Sequence, residues 1–283
     1  MGSEQPITSR TSEPHKNAWF LPREHGATAM LLTPIVCVAI LSRTWRWSEV
    51  ATLTAAFAAL AAKDPMVVLA RQRFVWKQWH PETAVAVRWF AGWLIILILS
   101  GLVLLAVWPF KALVAMGLGV AVFSVLAIGV NVKNRQRSTL FQIASAAALT
   151  SSSLATSLSA TGGIAPWCWW LWLLLALQAT AGILVVHARL DARIALRSTA
   201  PAGENFRRAA EISLVVLACA AVMSAVLGRG WIALALMVAV VGYSYDLHAQ
   251  QDAAKLQLSL MKVGRRALAL SSLYSVLLII GFW

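Results

Sequence analysis

Charge is scarce in this 283-residue chain: 12% of its residues are Asp, Glu, Lys or Arg, whereas 60% are apolar. A water-soluble domain carries about twice that share of charge, so a soluble fold is excluded. Cysteine is scarcer still, with three residues. Cys37, Cys168 and Cys219 all fall inside apolar stretches, which offers neither a disulfide framework nor zinc-ligand spacing. No phosphate loop, GxSxG elbow, HExxH or CxxC motif occurs. Residues 1–18 lack the apolar core of a secretory signal, and Pro6 stands where a myristoylation signal needs Ser or Thr.

What the chain does have is long apolar runs. Crossing a hydrocarbon core of roughly 30 Å takes about 20 helical residues, far longer than a barrel strand. Nine runs qualify as candidates, at 27–41, 50–69, 90–108, 112–130, 140–160, 167–186, 212–227, 231–245 and 267–282. Pro109, Thr161-Gly162-Gly163 with Pro166, and Gly228-Arg229-Gly230 fall in the gaps, where helix breakers belong. Several gaps are so short that the helices they join must be antiparallel neighbours. The pattern predicts an all-α integral membrane protein, with a single bundle of nine transmembrane helices over 19–283 and a disordered cytoplasmic tail over 1–18.

Orientation follows from the basic residues. Of 24 Lys and Arg, 20 fall to one side, 19 of them in the amino-terminal segment and every second connection and Lys63 toward that end of the second run, and 4 fall to the alternate connections. The positive-inside rule then puts the amino terminus in the cytoplasm and the carboxyl terminus outside. The same asymmetry accounts for the net charge of +13 without any nucleic acid. Trp45, Trp47, Trp108, Trp167, Trp169, Trp170, Trp172, Trp231 and Trp283 fall at the opposite edge, as in an interfacial aromatic belt. Beyond the tail, every acid except Glu49 falls on the cytoplasmic side.

Ionisable groups at membrane level are costly and point to a site. Four cytoplasmic clusters qualify: Arg23-Glu24-His25-Gly26, Lys63-Asp64-Pro65 with Arg71 and Arg73, Lys133 with Arg135 and Arg137, and His187 with Arg189, Asp191 and Arg193. On a helix His187 and Asp191 share one stripe, and Arg189 and Arg193 another about 160° away. Arginine grips phosphate oxygens bidentately, so Arg71, Lys133, Arg135, Arg189 and Arg193 are candidate phosphate ligands, and convergence of Arg71, Arg135 and Arg189 on one cavity would make a pyrophosphate clamp. The plainer reading of each arginine is a side chain snorkelling to lipid phosphate. His25 beside Glu24 is a candidate proton relay, or else a helix-capping histidine. Asp64 and Asp191 are candidate proton acceptors or ligands for a diphosphate-bound Mg²⁺, although one carboxylate per cluster is thin and salt bridges to Lys63 and Arg193 serve as well. Thr150, Ser151, Ser152, Ser153, Thr156, Ser157 and Ser159 enter the fifth run, as packing residues or as the lining of a polar cavity.

The segment Trp19-Phe20-Leu21-Pro22-Arg23-Glu24-His25-Gly26-Ala27, continuing to Met30-Leu31-Leu32 and Pro34, resembles the opening signature of the YwiC-like family of bacterial membrane proteins. Lys63-Asp64-Pro65 through Arg71, Val186 to Arg193, and Lys262-Val263-Gly264 are similar to that family's later blocks. A wider resemblance is to the UbiA superfamily of intramembrane prenyltransferases, carried by Asn131-Val132-Lys133-Asn134-Arg135 and Gln142. It implies a nine-helix bundle with a cytoplasm-facing site for a prenyl diphosphate and Mg²⁺. Where that superfamily places paired acids after helices two and six, this chain has Asp64 and Asp191 alone.

These resemblances imply a multi-pass protein of the bacterial inner membrane that binds an isoprenoid or lipid (di)phosphate in a basic cytoplasm-facing cavity. The expected activity is diverged prenyl or lipid transfer, with arginines replacing much of the Mg²⁺ at the leaving group and His25, Glu24, Asp64 or Asp191 moving a proton. The alternative is a non-catalytic lipid-binding or accessory membrane protein, which the missing second acids favour. Membrane lipids are the expected partners.

Overall fold

A computed structural model of the chain describes residues 25–132, 138–197, 204–258 and 260–283. Among them are eleven α-helices and no strand: α1 (His25–Ser42), α2 (Trp47–Arg71), α3 (Glu82–Leu105), α4 (Phe110–Val132), α5 (Thr139–Thr150), α6 (Ser152–Thr161), α7 (Pro166–Arg197), α8 (Glu204–Val226), α9 (Gly230–Ala249), α10 (Ala253–Leu256) and α11 (Leu260–Phe282). Seven are long and apolar enough to cross a membrane, those built on α2, α3, α4, α7, α8, α9 and α11. The apolar stretch of α1, Gly26–Ser42, is shorter.

The fifth apolar run is not one helix. It breaks at Ser151 into α5 and α6, and the hydroxyls there supply the reason. Thr150 Oγ1 donates to the Ala146 carbonyl at 2.9 Å, Ser151 Oγ to Ala148 at 2.7 Å and Ser153 Oγ to Thr150 at 3.0 Å, competing with the helix for its own acceptors. The next hydroxyl reaches outward: Ser152 Oγ donates to the Leu31 carbonyl of α1 at 2.9 Å. Leu31 lies just before Pro34, whose missing N–H already loosens that turn of α1. The Ser152 bond therefore fastens α6 to α1 within one turn of Pro34.

α7 forms the spine, packing against α1, α5, α6, α8, α9, α10 and α11. Leu171, Leu217, Leu236, Tyr274 and Leu278 are sealed around it. Apolar contact alone gives little preference for protein over lipid, so polar bonds matter at this depth. Gln178 Nε2 donates to Tyr243 Oη at 2.6 Å and to Ser271 Oγ at 2.8 Å, and Tyr274 Oη donates to the Leu174 carbonyl at 3.0 Å. These bonds lock α7, α9 and α11 together. α3 and α4 pack mainly against α2, and the apolar stretches along them are only 11% and 6% buried, so they turn most of their surface outward.

The ends of the bundle differ. At one end Ser48 Oγ donates to the Ser159 carbonyl at 2.8 Å, and Trp108 Nε1 donates to Ser159 Oγ at 2.8 Å. Trp108 is thus 6% exposed and hydrogen-bonded within the protein, unlike the belt residues Trp45 and Trp47 at 81% and 85%. Arg43, Arg46, Lys111 and Arg229 lie at this end, and the other described Lys and Arg lie toward the opposite one.

Candidate functional site at the basic end

The basic end gathers the last turns of α2, α4, α7 and α9 and the first turns of α3, α5, α8 and α11. α2 leaves the bundle through a π-helical turn, Gln72–Trp76, and reverses at Lys77, whose φ of 53° is left-handed. A π turn rotates the following side chains out of α-helical register. Here it buries Gln72 to 1% exposure, with its Oε1 accepting from Thr83 Oγ1 at 2.5 Å.

One turn of chain joins the expected ligands to neighbours. Arg71 donates through a terminal guanidinium nitrogen to the Asn131 carbonyl at 3.0 Å, tying the end of α2 to the end of α4. Asp64 lies seven residues earlier on the same face of α2, half-buried and followed by the buried Pro65. α4 and α5 meet through Phe123 and Phe141, stacked at 6.0 Å and 5°. Next to Phe141, Gln142 Oε1 lies 3.0 Å from His187 Nε2 on α7. His187 also stacks on Phe206 of α8, centroids 5.2 Å apart. These bonds tie α2 to α4 and α5 to α7 at the basic end.

The second stripe of α7 turns elsewhere. Arg189, 5% exposed, donates to the Lys255 carbonyl at 2.5 Å, and Arg193 donates to the carbonyls of Leu256 at 2.6 Å and Leu258. Gln250 Nε2 adds a bond to the Val185 carbonyl at 3.1 Å. Two guanidiniums therefore clasp carbonyls at and just beyond the C-terminal end of α10, where a cation meets the partial negative charge of the chain. A cleft of about 320 Å³ lies against the clasp, lined by Arg193, Leu196, Leu256 and Gln257. Close by, Asp246 pairs with Arg266 at 3.0 Å, and the guanidinium of Arg266 stands 4.2 Å over the Tyr245 ring.

Of the residues expected from sequence, Arg71 joins α2 to α4, His187 joins α7 to α5, Asp64 and Asp191 lie on α2 and α7, and Arg189 and Arg193 form the clasp. Glu24, Lys133 and Arg135 lie outside the described residues, as does the side chain of His25, which opens α1. Among the described residues no three His, Cys, Asp or Glu side chains gather as metal ligands. Sequence reading missed Gln72, Asp246 and Gln250. Asp246 carried a signal, an acid directly after an apolar run with Arg265-Arg266 opening the next.

The stretch that reaches from before α1 into α6 carries the Asp64, Arg71 and Gln142 part of this end. Residues 21–157 match the model of the YwiC-like protein family. The YwiC-like region is just under half of the chain and ends before α7, so it contains Asp64, Arg71, Asn131 and Gln142 but neither His187 nor the clasp arginines. No curated protein and no solved structure matches the chain.

Proposed function

We propose that this YwiC-like protein crosses the bacterial cytoplasmic membrane nine times and binds an isoprenoid or lipid (di)phosphate at its basic, cytoplasm-facing end. The seven long apolar helices, α1, and the broken α5–α6 pair make up the nine crossings. The basic residues then set the orientation, amino terminus inside and carboxyl terminus outside. The observation that carries the binding reading is the Arg71–Asn131 bond together with the Gln142–His187 bond. They tie the end of α2 to the end of α4 and the start of α5 to α7, all at the basic end, and the connection bearing Lys133 and Arg135 joins α4 to α5. A phosphate held there meets donors of the kind that bind it bidentately.

The reaction that fits is a diverged prenyl or lipid transfer resembling that of the UbiA superfamily, with arginine and lysine stabilising the leaving diphosphate and Asp64, Asp191, His187 or His25 available for the proton. If Mg²⁺ takes part, Asp64 and Asp191 are the acids present to meet it. A second reading, a lipid-binding or accessory protein without turnover, is favoured by the commitment of Arg189 and Arg193 to backbone carbonyls, which leaves fewer cations for a leaving group.

Native mass spectrometry of the purified protein with a panel of prenyl diphosphates, with and without a chelator, tests the proposal. Binding that falls about tenfold in Arg71→Gln supports it, as a lost charge-assisted hydrogen-bond pair should. Binding unchanged in Arg71→Gln, or none above an apolar alcohol control, overturns it. Product formation with an acceptor lipid separates the two readings.

A further inference from the structure

At the end opposite the basic one, the first turn of α2 buries Glu49 to 4% exposure. It is the single acid there among the described residues. Its Oε1 accepts from the Thr44 hydroxyl at 2.7 Å, and Thr44 Oγ1 lies 3.0 Å from Ser42 Oγ. Its Oε2 is sealed from solvent and has no hydrogen-bond partner. The arginines of the same turn do not answer it. Arg43 lies 4.1 Å over the Trp283 ring, Arg46 is exposed, and among the described residues neither forms an ion pair with Glu49.

A buried carboxylate oxygen at membrane level without a donor is costly, and such groups mark sites for ions or protons. Beside the carboxylate stand two hydroxyl oxygens, and α1 ends there at Ser42 with Arg43 turned to φ 54°, its Ala39 and Ile40 carbonyls each accepting one bond at 3.3 Å and keeping a second lone pair. The negative end of the α1 dipole and the positive end of the α2 dipole meet at this turn and offset each other, so the unpartnered Oε2 is what calls for a cation. Hard oxygen donors select alkali or alkaline-earth ions over softer metals. One carboxylate neutralises one positive charge, so a divalent ion would leave a net buried charge.

We propose that Glu49, Thr44 and Ser42, together with the C-terminal carbonyls of α1, form a site for a monovalent metal cation that fastens α1 to α2 at the non-basic end. This site is independent of the phosphate reading at the other end. The experiment is thermal unfolding of the full chain in detergent, in NaCl, KCl or N-methylglucamine chloride at constant ionic strength. The midpoint should rise with sodium or potassium and saturate, by on the order of 5 °C, because an ion that binds only the folded state stabilises it by mass action. Glu49→Gln should lose the response, and Thr44→Val, which keeps the carboxylate and the shape, should shift it at least severalfold to higher salt. Equal midpoints for the wild type in all three salts would overturn the proposal, as would an undiminished response in Glu49→Gln. A wild-type midpoint that responds to acidification but to neither metal ion would also overturn it, identifying Glu49 as a proton site instead.

Discussion

Replacing Arg193 with Gln separates a clasp from a ligand. In the folded chain the Arg193 side chain spans two carbonyls, Leu256 through Nε at 2.6 Å and Leu258 through a terminal nitrogen, while Arg189 holds Lys255. A hydrogen bond from a charged donor is worth about 1.5–3 kcal/mol when shielded. Arg193 is half-buried, so water takes over part of each bond when it is lost. A combined loss of about 1–2 kcal/mol is the reasonable figure, which raises the opening of the attached segment about 5–30-fold. That segment has its own marker amides, since Leu256 N–H bonds the Asp252 carbonyl at 3.0 Å and Ala254 N–H bonds Asp252 Oδ1 at 2.9 Å. Hydrogen exchange of the full chain followed by mass spectrometry should show a peptide across 250–258 exchanging faster by that factor in Arg193→Gln, with α9 unchanged. Arg193→Lys, which keeps the charge but not the fork, should fall between the two. Wild-type exchange at 250–258 in Arg193→Gln would refute the clasp and return this arginine to the ligand set.

Two further perturbations test the packing. A Cβ at Gly281 would stand 2.7 Å from Ile232 Cγ1 and 3.1 Å from the Ile232 backbone nitrogen, whereas one at Gly242 would meet only the tip of the Leu270 side chain, at 2.7 Å. Backbone cannot step aside as a leucine tip can, so Gly281→Ala should lower the unfolding midpoint by about 5 °C and Gly242→Ala by less than half of that; equal losses refute the argument. Ser159→Ala removes the acceptor of the buried Trp108 N–H and the partner of Thr52, 2.5 Å away, and should cost about 1–3 kcal/mol in denaturant unfolding. Combined with Trp108→Phe, which removes the stranded donor, the loss should be smaller than the sum of the single losses, and strict additivity would disprove the coupling.

The apolar runs were legible because hydropathy over about 20 residues depends on little besides composition. Their limits were less so. The sixth run reads as ending at 186, yet α7 continues to Arg197, because His187, Arg189 and Arg193 find partners along the protein and the helix persists past the apolar stretch. The break at Ser151 was written as a crowd of hydroxyls, but composition alone does not say whether hydroxyls pack between helices or unwind one. That depends on which carbonyl each reaches. Trp108 reads as a belt residue for the same reason: its partner Ser159 is fifty-one residues away.

The arginines make the general point. Side-chain chemistry says that a guanidinium seeks negative oxygen, and a backbone carbonyl at a helix end is a partly negative partner that leaves no mark in the sequence. Arg71, Arg189 and Arg193 read alike as residues, yet two of them spend donors on the connection between α9 and α11, and the third ties α2 to α4 beside the connection bearing Lys133 and Arg135. That third arginine is also the one inside the YwiC-like region. The case for phosphate binding therefore rests first on Arg71. If Arg71→Gln kept full affinity while Arg193→Gln lost it, the site would have to be moved from the α2–α4 rim to the cleft beside α10.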